Sequence, residues 1–466
     1  MANYIAAIDL GTTKVATIVG EKSAGGIKII AYSEFPSNGI KRGEVINIQK
    51  VLNALTPTID EVNRQIEDEE FELKEVYVGI AGQAIRCTSA TNKKIRMFPQ
   101  DIITEQEVCG WTQEMYNYSV NPGERVLHVI PQSYNVDEHM YVTEAAGMIG
   151  KDIEALFRLF VGRANAVKSC AEVINRKGLK IQRMLLEPIA SARAVLSEND
   201  MELGVAVVDI GGGTSDILII ENNVVRHTAV IPFGGNSITE DIRQICGVSF
   251  KDAEILKKQH GSCLSEYAQE SKVINIPGRD GTTTKQISFK LLSSVIEARV
   301  SEILATVRYE IEESGYQGKL RAGVVLTGGS SRINHIQILA KHILETDVRL
   351  AQPDEFCIMS TSVDEVFKPS CSTAVGLILK GFDVLDGIGM DILTIPEHQD
   401  NSSEAVQQGL FGEEERIPLN NNDKEANKGK VKEKPAKPKK KFKDILKGKF
   451  GELGDIFGTN DQNNEA

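Results

Sequence analysis

The sequence predicts an α/β protein built from two related halves. Residues 4–10 have a strand pattern that runs into Asp9-Leu10-Gly11-Thr12-Thr13, and a second strand pattern follows at 15–19. The same order returns about 200 residues later: a strand over 204–210, the turn Asp209-Ile210-Gly211-Gly212-Gly213-Thr214-Ser215-Asp216, and a strand over 217–220. Helical periodicity separates the two hairpins, at 51–66, 165–176 and 189–196. Strands alternating with helices favour sheets covered by helices.

Each hairpin turn suits an anion. Glycine lets the backbone reach positive φ and lets a ligand approach the main chain. Successive N–H groups in such a turn form a concave anion nest. Thr12, Thr13, Thr214 and Ser215 add hydroxyl donors, and Lys14 adds a point charge suited to phosphate. Asp9 and Asp209, at the strand ends, suit a hydrated Mg²⁺, which takes few carboxylates and keeps several waters. A third glycine turn, Thr327-Gly328-Gly329-Ser330-Ser331, follows an apolar strand over 322–326 and precedes a helix expected from Arg332. It can place backbone against a base or phosphate. Other nucleotide motifs are absent. There is no G-x-x-x-x-G-K-[ST] loop, and the Gly211-x-Gly213 run meets Asp216 where a dinucleotide fingerprint needs glycine.

Composition narrows the class. The chain has 466 residues and a net charge of −12, with 41% hydrophobic and 25% charged residues, which is ordinary for a folded protein. Its acidity argues against a dedicated nucleic-acid binder. Seven scattered Cys without a CxxC pair argue against a disulfide framework or zinc site and for a reducing compartment. The N-terminus lacks a basic n-region, and Asp9 and Lys14 interrupt its apolar run, so no signal peptide is expected. No apolar stretch approaches the roughly 20 residues of a spanning helix. The expectation is a cytosolic protein unless something tethers it.

The tail differs from the rest. From about residue 397 it is polar, and between Lys428 and Lys449 there are eleven Lys against Glu433 and Asp444. A disordered linker is expected over 392–438, because such a segment buries too little to offset its ordering entropy. As a flexible chain it would span about 35–40 Å. Beyond it, at 439–458, helical spacing gathers Phe442, Ile445, Leu446, Phe450, Leu453, Ile456 and Phe457 on one face, flanked by Lys443 and Lys447. An apolar face beside lysines suits an interfacial helix on an anionic membrane surface. The alternative is a helix that docks on the body or on a partner.

These motifs carry a resemblance. Residues 9–14, 209–216 and 327–331 resemble the phosphate 1, phosphate 2 and adenosine motifs of the actin/Hsp70/sugar-kinase superfamily, and 186–192 resembles its connecting helix. Within that group the chain resembles the bacterial FtsA family of cell-division proteins. The segments that narrow it are Gly39-Ile40-Lys41-Arg42-Gly43, residues 76–82, Gly147-Met148-Ile149-Gly150, Gly234-Gly235 with 238–242, residues 253–257, and the basic C-terminal helix.

The resemblance implies an actin-like, two-lobed ATPase fold with ATP and Mg²⁺ in the cleft. It implies subdomain 1A at 1–83, 163–198 and 353–391, and an inserted subdomain 1C at 84–162. Subdomain 2A falls at 199–227 and 305–352, and 2B at 228–304. The residues of 1C themselves read as strands at 85–89 and 126–136 around a helix at 105–116. By the resemblance Asp9 and Asp209 organise Mg²⁺, while Gly11, Thr12, Thr13, Lys14, Gly211, Gly212, Gly213 and Thr214 cradle phosphates. Gly328, Gly329 and Ser330 line the adenosine. Glu254 and Lys257, three apart on one helix face, meet ribose and base, or else form a plain intrahelical ion pair. Glu187 orients a water for slow ATP hydrolysis, or is only a helix-start acid before Pro188 at the first helical position.

The implied partners are the C-terminal tail of FtsZ, other copies of the chain in filaments, further division proteins through 1C, and the cytoplasmic side of the inner membrane at the septum. Arg299 is the residue expected to meet the acidic FtsZ tail. The rivals are a sugar or acyl-phosphate kinase, a pilus-assembly ATP-binding protein, and an Hsp70-type chaperone.

Overall fold

The computed structural model describes residues 3–387, except 24, 67–70, 270, 278–283, 355–356 and 360–362. The expected linker and C-terminal helix, with all seven residues assigned to the membrane face, lie outside the described residues.

The internal echo extends to sheet topology. One five-stranded sheet has the order Gly26–Pro36, Lys14–Ser23, Asn3–Leu10, Glu75–Ile80, Lys180–Leu186. The other has the order Val224–Ile231, Ser215–Glu221, Val205–Ile210, Val324–Thr327, Val348–Leu350. In each, three antiparallel strands come first in the chain and two parallel strands are added beside the first of them. The first strands are apolar on both faces, Ile5 to Ile8 and Val205 to Val208 being buried, as expected where helices cover a sheet.

The covering helices obey local rules. Ile48–Gln65 is capped by Asn47, whose side chain accepts from the Lys50 N–H, and buries Val51, Ala54, Leu55, Thr58, Ile59 and Val62 at helical spacing. Its first turn is not buried, which is why apolar periodicity alone places the start at 51. Glu187–Val195 and Ser372–Leu385 cross within the first core, and an ideal Cβ on Gly376 would fall 1.8 Å from the Ala190 carbonyl oxygen. Only glycine permits that approach. Two expectations need correction. The segment after Ser331 is a single 3₁₀ turn, Gly329–Arg332, and the α-helix begins at Ile336. Leu186 is the N-cap of Glu187–Val195, so Pro188 is second in the helix, not first.

The insert is a separate layer. Its antiparallel sheet has the order Arg86–Ile95, Asp152–Arg163, Glu124–Val136, His139–Val142. The helix Glu105–Glu114 starts in a capping box of Thr104 and Glu107. Trp111, Met115, Val129, Tyr134, Phe157 and Leu159 belong to a core of its own.

Candidate nucleotide cleft

The two acid-bearing hairpin turns face each other across the lobes. An ideal Cβ on Gly212 would fall 1.7 Å from Thr13 Oγ1, and one on Gly213 would fall 2.5 Å from Thr12 Oγ1. Any side chain there would clash with the facing turn. The Gly211 N–H donates to the Thr214 carbonyl at 3.0 Å, which keeps the second turn tight. Thr12 Oγ1 accepts from the Gly43 N–H at 3.1 Å, which ties the first turn to the Gly39–Gly43 segment.

Four carboxyl groups gather behind the turns. Asp9 and Asp216 are buried. Burial pushes Asp9 up to about 6, with Lys14 opposing and Asp209 reinforcing the rise. Burial and then Asp209 push Asp216 up to about 8. Burial, followed by Asp9, Asp216 and Asp209, holds Glu187 well above the ordinary carboxyl range. Asp209 is raised by burial but held by two hydroxyls: Ser191 donates to Oδ2 at 2.7 Å and Thr373 at 3.3 Å. Gly328 has a φ of +84° and an ideal Cβ there would lie 2.2 Å from Asp209 Oδ1. Both crossing helices and the third glycine turn therefore converge on Asp209.

Sequence reasoning passed over Asp216 as a site residue. Its signal was available, since Asp216 stands directly opposite Asp209 in the hairpin register. Its Oδ1 is buried without a hydrogen-bond partner. An acceptor in that state suits a cation or the water shell of one. Among the described residues no three acidic, His or Cys side chains converge tightly enough to hold a metal directly. The expected Mg²⁺ would therefore have to keep its waters here, with the unpartnered Asp216 oxygen as an acceptor for that shell.

The side expected to take adenosine is equally close-built. Lys257 donates to the Gly235 carbonyl at 2.9 Å and to Thr239 Oγ1 at 2.8 Å, and pairs with Glu254 at 2.6 Å. The intrahelical ion pair is thus present, but Lys257 is buried in it beside the glycines. Burial alone would raise Glu254; Lys257, next in weight, brings its carboxyl below the ordinary value. Ser330 Oγ donates to the Gly211 carbonyl at 3.1 Å, joining the third turn to the second.

Two expected contacts are placed elsewhere. Lys14 Nζ donates to the Tyr32 hydroxyl at 2.6 Å, pairs with Glu34, and lies 3.5 Å from Cys371 Sγ. Its charge is committed to its own lobe. Arg299 grips both oxygens of Asp241, at 2.5 and 2.9 Å, pairs with Glu302, and lies over the Phe233 ring at 5.6 Å. Most of its donor capacity is used internally.

Duplicated sheets, facing acid-bearing turns and crossing connecting helices define an actin-like fold. Solved structures agree: the PilM–PilN type IV pilus biogenesis complex aligns with a TM-score of 0.57 at 14% identity, covering 81% of this chain and 98% of that one. MreB5 of Spiroplasma citri bound to ADP aligns at 0.50 and 15%, covering 82% and 98%. Residues 206–376 match the family described as "Cell division protein FtsA", and 82–161 match the "SHS2 domain inserted in FTSA". FtsA of Neisseria meningitidis is 33% identical over 377 residues, 80% of this chain and 89% of the relative. FtsA of Escherichia coli K12 is 32% identical over 387 residues, 81% and 90%. The chain belongs to the FtsA family of cell-division proteins.

Proposed function

We propose that this chain is an ATP- and Mg²⁺-dependent division scaffold that self-assembles and tethers FtsZ filaments to the cytoplasmic face of the membrane at the septum. The observation that carries the nucleotide part is the orphaned, buried Asp216 oxygen among the acids behind two glycine turns. The ADP in the MreB5 structure supports the same reading.

Gly11, Thr12, Thr13 and Gly212 to Thr214 offer N–H and hydroxyl donors to the phosphates, while Gly211 cradles them by holding the turn closed through its bond to the Thr214 carbonyl. Asp9, Asp209 and Asp216 would hold the water shell of Mg²⁺, which would supply neutralisation of phosphate charge. Gly328, Gly329, Ser330, Glu254 and Lys257 bound the nucleoside. Glu187, at a helix start and turned toward Gly79, positions a water, which makes the chain at most a slow ATPase. Lys14 then acts through Asp9, not at a phosphate.

The tether rests on the tail sequence and on family membership. No helix among the described residues is long and apolar enough to cross a membrane. The Phe442–Phe457 face would supply a peripheral anchor, the lobe carrying Arg299 would receive the FtsZ tail, and the insert would receive other division proteins. Calorimetric titration with MgATP, against Asp209→Asn as the deficient control, tests the nucleotide site. Co-sedimentation of FtsZ on anionic vesicles tests the tether.

A further inference from the structure

We infer that the inserted subdomain is latched to the second lobe by Gln132 and Arg226, so that its position and nucleotide occupancy of the cleft are coupled. The inference rests on the nucleotide reading above.

The insert is chained to the first lobe, yet it grips the second. Gln132 Nε2 donates to the Val225 carbonyl at 2.9 Å. Arg226 Nη1 donates in return to Gln132 Oε1 at 3.2 Å and to the Gln132 carbonyl at 3.4 Å. Val225 and Arg226 lie in Val224–Ile231, the outer strand of the second sheet. The insert therefore covers an edge that would otherwise stand open.

Both latch residues are β-bulges. Between the insert strands, Leu156 faces Ser133 and Phe157 faces Pro131, so Gln132 is the extra residue. In the second lobe, Ile219 faces His227 and Ile220 faces Val225, so Arg226 is the extra residue. A bulge leaves one residue unpaired in its ladder and re-aims its side chain. Here two independent sheets each release one residue, and the two released residues bond to each other. Beside them, Cys87 of the insert adjoins His227, whose Nε2 lies 3.8 Å from Glu310 of the long helix Phe289–Glu313.

Arg226 Nε and His227 Nε2 make no hydrogen bond and instead lie 3.7 Å from Glu221 and 3.8 Å from Glu310, so the polar groups beside the latch are held loosely. The cleft supplies the drive. Thr12 and Thr13 already abut Gly212 and Gly213, so a triphosphate between these turns must separate them. Separation moves the second lobe against an insert fixed to the first, and the latch bears the displacement.

The test bridges the latch reversibly. Gln132→Cys/Arg226→Cys is cross-linked with a short, reducible bis-methanethiosulfonate reagent, with each single variant as control for the native cysteines. A fluorescent ATP analogue with Mg²⁺ reports affinity. Cross-linking should weaken binding by about fivefold or more, and reductant should restore it; ATP should slow cross-linking in turn, because coupling is reciprocal. Affinity that stays equal or rises on cross-linking overturns the coupling and leaves the nucleotide site standing. No ATP binding before cross-linking overturns both. Should the double variant fail to fold, hydrogen exchange replaces it: ATP should change exchange across residues 86–163 in the parent chain, and Gln132→Ala should abolish that change. An ATP-bound parent with unchanged exchange there overturns the coupling.

Discussion

The Ser191 hydroxyl donates to Asp209 Oδ2 at 2.7 Å, and Thr373 on the other crossing helix bonds the same oxygen at 3.3 Å. Asp209 is therefore oriented by the connection between the lobes and not by its own hairpin alone. Ser191→Ala should weaken MgATP binding roughly tenfold, since a hydrogen bond to a charged group contributes about 1.5 kcal/mol or more and Thr373 retains only part of it. Calorimetric titration checks this; unchanged affinity would mean that Asp209 needs no second support.

Asp216 makes the nucleotide-free protein sensitive to pH. Folded, it takes up its proton near pH 8, against 3.8 for the ordinary group. Between those values the folded state binds more protons than the unfolded state, so this contribution to stability falls as pH rises. Asp216→Asn should raise the nucleotide-free thermal midpoint at pH 8, with the gain shrinking toward pH 4, while lowering MgATP affinity. Differential scanning fluorimetry across that range reads the slope. An equal gain at both ends would remove Asp216 as its source.

Gly79 sets the place of Glu187. An ideal Cβ at Gly79 would lie 2.9 Å from Glu187 Cγ. If Glu187 positions water, Glu187→Ala should slow steady-state phosphate release by about a hundredfold, the lower range for a positioned acid–base group. Gly79→Ala should slow it less, and both should still bind ATP. Unchanged release in Glu187→Ala leaves the residue as a helix-start acid.

Arg299 must choose between Asp241 and a partner. Asp241→Asn weakens its bidentate hold and should tighten binding of an acidic FtsZ C-terminal peptide, whereas Arg299→Glu should abolish it. Arg299→Ala should cost about 1–2 kcal/mol of stability, a modest figure because the pair is partly exposed. Fluorescence anisotropy with labelled peptide decides the matter, and normal binding by Arg299→Glu would take the residue off the partner surface.

The parts of the fold legible in sequence were those whose residue types the local geometry demands. Asp9 and Asp209 at strand ends, followed by glycine and threonine, declared both hairpins. Asp216 stands opposite Asp209 in the hairpin register, yet in the sequence it reads as the end of a turn motif and not as a site acid. Asp152–Arg163 has the alternation of a half-buried strand, but its pattern is less distinct than that of 126–136. Other features could not be read locally. Lys14 turns to Tyr32, Glu34 and Cys371, the last 357 residues away. The bulge at Arg226 carries neither glycine nor proline to mark it, whereas Pro131 beside Gln132 does mark the other one.

Tethering of FtsZ to the membrane through the C-terminal helix is tested most directly by sedimentation. Labelled FtsZ, anionic vesicles, ATP and Mg²⁺ are sedimented with the intact chain or with Ile445→Glu. The intact chain should carry FtsZ down with the vesicles, and Ile445→Glu should leave it in solution. Vesicle binding by the intact chain with FtsZ remaining in the supernatant would contradict the tether.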